Sequence, residues 1–305
     1  MLPELAMGPV LFHWPAEKKR DFWFRVADEA PVAAAYLGEV ICSKREPFLA
    51  DHLGDIAERL ERGGKRVVWS SLSQVVTNID RKASTGLAGF ESAMIEANDA
   101  SILPALQGRP HHIGPFINVY NEATIAHLAK DGATRFSLQP ELPAEAVARL
   151  TAAAAKAGAT TEVQVFGRVS LALSARCYHA RAHGRTKDNC LFVCENDPDG
   201  MDLETRARQK FLAVNGIQTL SHRYLELSEE IGQLTAMGVR SFRLSPHDLD
   251  MAAVAAAYQS QIEGRTSAEE TAARLSELGL LQPTMNGFYH HRPGYMRIGR
   301  QHSLD

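Results

Sequence analysis

Short apolar runs alternate with helical patterns along most of the chain. The runs fall at residues 8–13, 31–42, 66–71, 100–105, 113–120, 135–138, 162–166, 217–221 and 240–244, and each reads as a strand. Between the second and third, residues 46–65 carry Phe48, Leu49, Leu53, Ile56, Ala57 and Leu60 at helical spacing, with Gly63 and Gly64 as the stop. Further helical patterns lie at 122–130, 144–157, 226–237 and 268–280. Strands that alternate with helices are parallel and joined by right-handed crossovers. Eight or nine such units in about 250 residues fit a TIM-barrel-like (β/α)8 barrel, whole or distorted, better than an open sheet. The expected organisation is one barrel domain over residues 1–305. Within it, 268–305 supply a last helix and a closing segment, MNGFYHHRPGYMRIG. In such a barrel, functional groups collect at the C-terminal ends of the strands, because that rim carries the βα loops.

Composition narrows the functional classes. The chain has 305 residues, 45% hydrophobic and 23% charged, with a net charge of -3. That balance gives no electrostatic footprint for nucleic acid, which calls for a basic excess or stripe. Apolar runs fall short of the roughly 20 residues that span a bilayer. The opening MLPELAMGPVLFHWPAEKK lacks a charged region ahead of its apolar stretch, so a cytoplasmic protein with reduced thiols is expected. G-x-G-x-x-G, G-x4-G-K-[ST], G-x-S-x-G and H-E-x-x-H are all missing from the sequence, which leaves nucleotide binding and standard serine or zinc hydrolysis without their parts.

Cysteine usage is the most specific signal. There are four, with Cys177, Cys190 and Cys194 in a C-x12-C-x3-C stretch and Cys42 far upstream after a strand. The stretch RCYHARAHGRTKDNCLFVCEND is polar, basic and broken by Gly184, as a loop is. Four thiolates satisfy either a tetrahedral Zn²⁺ or the four irons of a cubane cluster. The competing role for an isolated cysteine such as Cys42 is that of a small buried hydrophobe. Cys42 ends one strand and Cys177 follows another, so both are expected on one rim of the barrel.

The segments EVQVFGRVSLALSARCYHARAHG, NCLFVCEND, FLAVNGIQTLSHRYLEL and MNGFYHHRPG resemble the collagenase-like peptidase family, over essentially the whole chain. The resemblance implies that Cys42, Cys177, Cys190 and Cys194 together hold a [4Fe-4S] cluster. It further implies an iron–sulfur subunit required for oxygen-independent ring hydroxylation in ubiquinone biosynthesis, acting as a heterodimer with a paralogue. A ubiquinone-precursor lipid, delivered by a lipid-carrier protein, would be the substrate, and prephenate the hydroxyl donor. The alternatives within the family are a peptidase and an RNA-hydroxylating relative. The basic neighbours Lys44, Arg45, Arg176, Arg185 and Lys187 would offset an anionic cluster, or else are solvated loop charges.

Other residues carry weaker signals. His179 and His183, at i and i+4, can share a helical face and imitate a metal pair, although loop donors are commoner. The neighbours His111–His112 and His290–His291 diverge in extended chain, which makes shared ligation unfavourable. Arg240, Arg243 and His247 are candidates for a dicarboxylate on the rim, with alternation allowing one arginine inward.

Overall fold

The computed structural model describes residues 2–280 and 283–299; the ends of the expected closing segment, 281–282 and 300–305, lie outside the described residues. Its strands are β1 (Glu4–Met7), β2 (Ala34–Leu37), β3 (Arg66–Ser70), β4 (Met94–Ala97), β5 (His111–Ile113), β6 (Ala133–Leu138), β7 (Thr160–Leu173), β8 (Met201–Glu204), β9 (Lys210–Asn215), β10 (Gln218–Glu226), β11 (Ser241–Leu244) and β12 (Thr284–Met285). The helices are α1 (Ala16–Glu29), α2 (Pro47–Arg62), α3 (Asn78–Ala88), α4 (Leu103–Leu106), α5 (Glu122–Lys130), α6 (Ala144–Lys156), α7 (Tyr178–Ala182), α8 (Ile231–Ala236), α9 (Met251–Ile262) and α10 (Ala268–Glu277). Strands β1 to β7 pair in order, and β11 pairs parallel with both β7 and β1. The result is a closed eight-stranded parallel barrel with surrounding helices, as the strand–helix rhythm predicts. Among the described residues no helix is long and apolar enough to cross a membrane.

Strand alternation sorts the sequence into two layers. Leu5, Met7, Ala35, Leu37, Ile95, Phe136, Leu138, Val163, Phe242 and Leu244 face outward and join the helices in the main apolar core. Residues of the opposite parity, including Tyr36, Ser70, Glu96, His112, Ser137, Glu162, Ser241 and Arg243, meet inside the barrel. A barrel interior is ordinarily packed with branched aliphatic side chains. Here the apolar interior reduces to Ala6, Ala34, Tyr36 and Val68, with Met94 against them, and charge fills the rest.

Several expected elements are displaced. Residues 8–13 are a rim loop, because the first strand ends at Met7: Gly8 N closes the ladder on Leu244 O at 2.8 Å, and Pro9 has no amide hydrogen to continue it. Residues 100–105 turn helically into α4, and the fourth strand is β4, whose MIEA carries an inward Glu96 that breaks the apolar run. The fifth strand is β5, and Pro115 turns the chain directly after it. Of residues 217–221, all but Ile217 belong to β10, which runs antiparallel to β7 and outside the barrel. The helix expected over 226–237 starts only at Ile231, since Glu226 still pairs with Phe166.

The departure with most consequence is at β7. Its first half is a barrel strand, while its second half continues past the rim and pairs with β10, which in turn carries β9 and β8. This antiparallel flap stands on the C-terminal rim, and its loops carry the cysteine segment.

Candidate metal centre

All four cysteines line one small pocket on the C-terminal rim, together with Arg45, Lys187, Phe192 and Gly216. Cys42 arrives from the β2–α2 loop, where Glu39 Oε1 accepts from the amides of Ile41 and Cys42 at 3.0 and 3.1 Å and so fixes the turn. Cys177 caps α7, its Sγ accepting from Ala180 N at 3.4 Å. Cys190 and Cys194 are brought round by an unusual backbone: Leu191 and Phe192 both lie in the left-handed region, at φ 46° and 52°. Such a conformation costs a non-glycine residue about 1–2 kcal/mol, and strain of this kind concentrates at functional sites. Cys177 and Cys194 are buried, Cys42 and Cys190 half-buried, and all four are free thiols.

Positive charge surrounds the thiols. Arg45 is fully enclosed; its Nη2 donates to Asn215 Oδ1 at 2.7 Å and its Nη1 to Leu11 O at 3.2 Å. Gly216, at φ 65°, makes room for it, since a Cβ there would stand 2.5 Å from Arg45 Nη2. Lys44 Nζ lies 3.6 Å from Cys190 Sγ, and buried Lys19 lies 3.6 Å from Glu39. Burial pushes the Cys42 and Cys194 thiols up, and Arg45 pulls both back. Glu39 is the buried carboxylate beside these cations, so positive charge exceeds negative, as an anionic thiolate-bound cluster requires. The donor set and its surroundings therefore fit such a group. Of the basic residues singled out in the sequence, Lys44, Arg45 and Lys187 line the pocket, while Arg176 is exposed.

A second cavity, of about 440 Å³, opens at the barrel mouth beside the first. Leu11, Phe116 and Leu173 line it and also pack against the apolar cluster that holds Cys177 and Cys190, so the two spaces share a wall. Gln139 projects its unpartnered Oε1 in this region, while its Nε2 donates to Pro115 O at 2.9 Å.

The rim dicarboxylate receptor expected from Arg240, Arg243 and His247 is not assembled. Arg243 points inward, donating Nε to Glu162 at 2.6 Å and Nη2 to Glu96, so its charge is already answered. Arg240 precedes β11 and is exposed. His247 accepts from Arg168 N at 2.8 Å through Nε2 and donates Nδ1–H to Asp199, which also receives Arg168 and Tyr224. His111 and His112 diverge as alternation requires, one toward Arg109 O and one toward Tyr36. His290 pairs with Glu230 at 2.7 Å, away from the thiols.

Sequence reasoning did not single out Lys19, Glu39, Asp199 or Asn215. Lys19 lies in an amphipathic helix, and nothing in a polar helical position signals burial. The run Gly38–Glu39 directly after a strand was the available cue for Glu39.

Fold and site together define a (β/α)8-barrel protein with a four-thiol pocket and an adjoining cavity on the rim where such barrels carry out their chemistry. Residues 20–298 match the model of peptidase family U32, and the chain belongs to that family. Solved structures similar to it include the U32 peptidase Mk0906, 11% identical over 81% of this chain and 94% of that one, at a TM-score of 0.46. A dihydrodipicolinate synthase family protein from Coccidioides immitis is 9% identical over 92% of this chain and 78% of its own, at 0.49. The tryptophan synthase complex from Pyrococcus furiosus is 12% identical over 91% and 99%, at 0.41.

Proposed function

We propose that this U32 protein is the iron–sulfur subunit of an oxygen-independent ring hydroxylase of ubiquinone biosynthesis, of the UbiV type, paired with a UbiU-like paralogue. The observation that carries the reading is the shared wall: a four-thiol pocket lined by buried Arg45 and half-buried Lys44 and Lys187 stands directly behind a cavity large enough for a small aromatic substrate. Cys42, Cys177, Cys190 and Cys194 would hold a [4Fe-4S] cluster, which supplies one-electron chemistry or a rigid support when bound. With four thiolates each iron is fully ligated, so the cluster itself offers no open position. The chain's own residues neutralise it through Arg45 and Lys44, and Phe116, Leu11 and Leu173 keep water out between pocket and cavity. The substrate would be a ubiquinone-precursor lipid presented by a carrier protein, and prephenate the hydroxyl donor.

Anaerobic purification should yield a brown protein with about four iron and four sulfide per chain and an absorption band near ~400 nm that bleaches in air. Cys42→Ala should lose that band, and the paralogue should co-purify. Full iron and an unchanged band in Cys42→Ala would sink the ligand assignment. A brown monomer that never binds a paralogue would remove the hydroxylase role and leave the cofactor. The family designation supports a second reading, a peptidase; cleavage of a peptide by iron-free protein would establish it.

A further inference from the structure

His179 is buried completely, yet one face of its ring is unanswered. Its Nδ1 lies 3.2 Å from the carbonyl of Val214, an acceptor, so Nδ1 carries the ring proton and Nε2 presents a lone pair. That lone pair has no hydrogen-bond donor; what stands 2.9 Å away is Asp197 Oδ2, another acceptor. Two acceptors at this distance repel unless a proton or a metal ion lies between them. His183, one helical turn on, stacks its ring on that of His179 with centroids 5.5 Å apart at 11°. One ligand atom from each of His179, His183 and Asp197 falls within 4.8 Å of the others, and among the described residues this is the group so arranged.

We propose that His179, His183 and Asp197 form a site for a divalent first-row transition-metal ion, distinct from the four thiols. Two imidazoles and a carboxylate are a common donor set for Zn²⁺ and Fe²⁺, and they leave positions open to water. The backbone carbonyl on Nδ1 is the usual outer partner of a metal-bound histidine, fixing tautomer and ring orientation. His183 is exposed, and rotation about its side-chain bonds is what would close the triangle to bonding length. The site spans the cysteine segment: His179 follows Cys177 by two residues and Asp197 follows Cys194 by three. An ion there would clasp the two ends of the loop that carries Cys190. Asp197 O also accepts from Asn215 Nδ2 at 3.1 Å, the side chain that holds Arg45, so the clasp and the thiol pocket share one support.

The test is Zn²⁺ titrated into cluster-loaded protein against a fluorescent chelator, with the ~400 nm band followed in parallel. Wild type should bind one equivalent with the band unchanged. His183→Ala and Asp197→Asn should each weaken that equivalent by roughly ten-fold or more, since even outer-shell losses at metal sites reach that size. His183 is exposed, and a far-UV spectrum checks that its variant is folded. Equal stoichiometry and affinity in all three proteins, or no binding by wild type, overturns the site. Because the zinc count is read as wild type minus His183→Ala, it stands or falls separately from the thiol pocket: loss of the ~400 nm band in every preparation would end the cluster reading and leave this count intact.

Discussion

Two charged regions lie within the same barrel, and they are built on opposite principles. Inside the barrel, Glu96 and Glu162 face Arg243 and Arg135, with Glu4 and Arg66 continuing the network below, so every charge there is matched by a partner. On the rim, Lys19, Lys44 and Arg45 converge on four thiols and one buried carboxylate, Glu39. The first region is complete as it stands: Arg243 and Arg135 overcome the penalty of burial and hold the Glu162 carboxyl down at about 2. The second is electrically unfinished. A charged site that balances itself serves the fold, and one that does not is arranged for something it binds.

The sharpest way to break this contrast is Glu162→Ala. It leaves buried Arg243 with Glu96 as its remaining carboxylate, removes the more distant of two carboxylates from half-buried Arg135, and orphans the hydroxyls of Ser137 and Ser241, which donate to Glu162 at 2.8 and 2.7 Å. Removing one member of a buried pair costs about 3–5 kcal/mol, so the urea midpoint should fall steeply even in protein without any cluster. A midpoint within experimental error of wild type would mean that the interior network does not hold the barrel together.

Acid should attack the interior next. Burial, with Arg135 beside it, pushes His112 down to about 3, so the folded protein refuses a proton that the unfolded chain accepts near 6.5. Stability from His112 is therefore present above pH 6.5 and is lost as pH falls toward 3. Glu162 and Asp199, both held at about 2, add losses that begin only below pH 4.5 and 3.8. On the order of 3 kcal/mol should be gone by pH 4 through His112 alone. His112→Gln should lessen the slope of the denaturation profile between pH 6.5 and 4.5, where the burial-depressed His13, His111, His179 and His222 still contribute, and keep the later fall. An unaltered slope there would show that His112 titrates normally.

The two regions were unequally visible in the sequence. Cysteine is rare and chemically specific, so four of them at Cys42, Cys177, Cys190 and Cys194 marked a rim site before any coordinates, and the barrel rhythm said which rim. The interior network left no comparable trace. Glu96, Glu162 and Arg243 each sit in a strand where inward and outward positions differ only by parity, and a charged residue in a short strand reads as solvent-facing. The same ambiguity hid β4, whose glutamate faces inward, and displaced the expected strand to residues 100–105. Of the flap, only residues 217–221, largely in β10, read as a barrel strand, because alternation cannot distinguish antiparallel from parallel pairing when both faces are covered; β8 and β9 carry no comparable apolar run.

Asp199 stands at the border between the regions. It ties the end of the cysteine segment to the rim by accepting from His247, Tyr224 and Arg168. Gly167, at φ 109°, permits this approach, since a Cβ there would come within 2.9 Å of His247 Nε2. Asp199→Asn keeps the shape and removes the charge, which should cost about 2 kcal/mol, the scale of a hydrogen bond to an ionised group. If the segment is anchored in this way, limited proteolysis between Gly184 and Gly200 should accelerate along with unfolding. Equal cleavage rates in the two proteins would place the anchor elsewhere.

Lys19→Met is the smallest change and the most discriminating. Lys19 is as buried as Arg243 of the interior, and burial pulls its pKa down with Glu39 only partly restoring it. In a self-balanced region its removal would repeat the loss expected of Glu162→Ala. On the rim it removes one cation from a surplus: Glu39 still accepts the amides of Ile41 and Cys42 and keeps Arg45 4.0 Å away. Methionine also fills most of the space of the lysine stem, so cluster-free protein should change by less than about 1 kcal/mol. The effect should surface instead in iron retention, with iron lost faster to a chelator under anaerobic conditions, because an anionic group has lost part of its counter-charge. A large loss of stability in the cluster-free protein, with iron retention unchanged, would reverse the assignment and make the rim cations a structural network like the one inside the barrel.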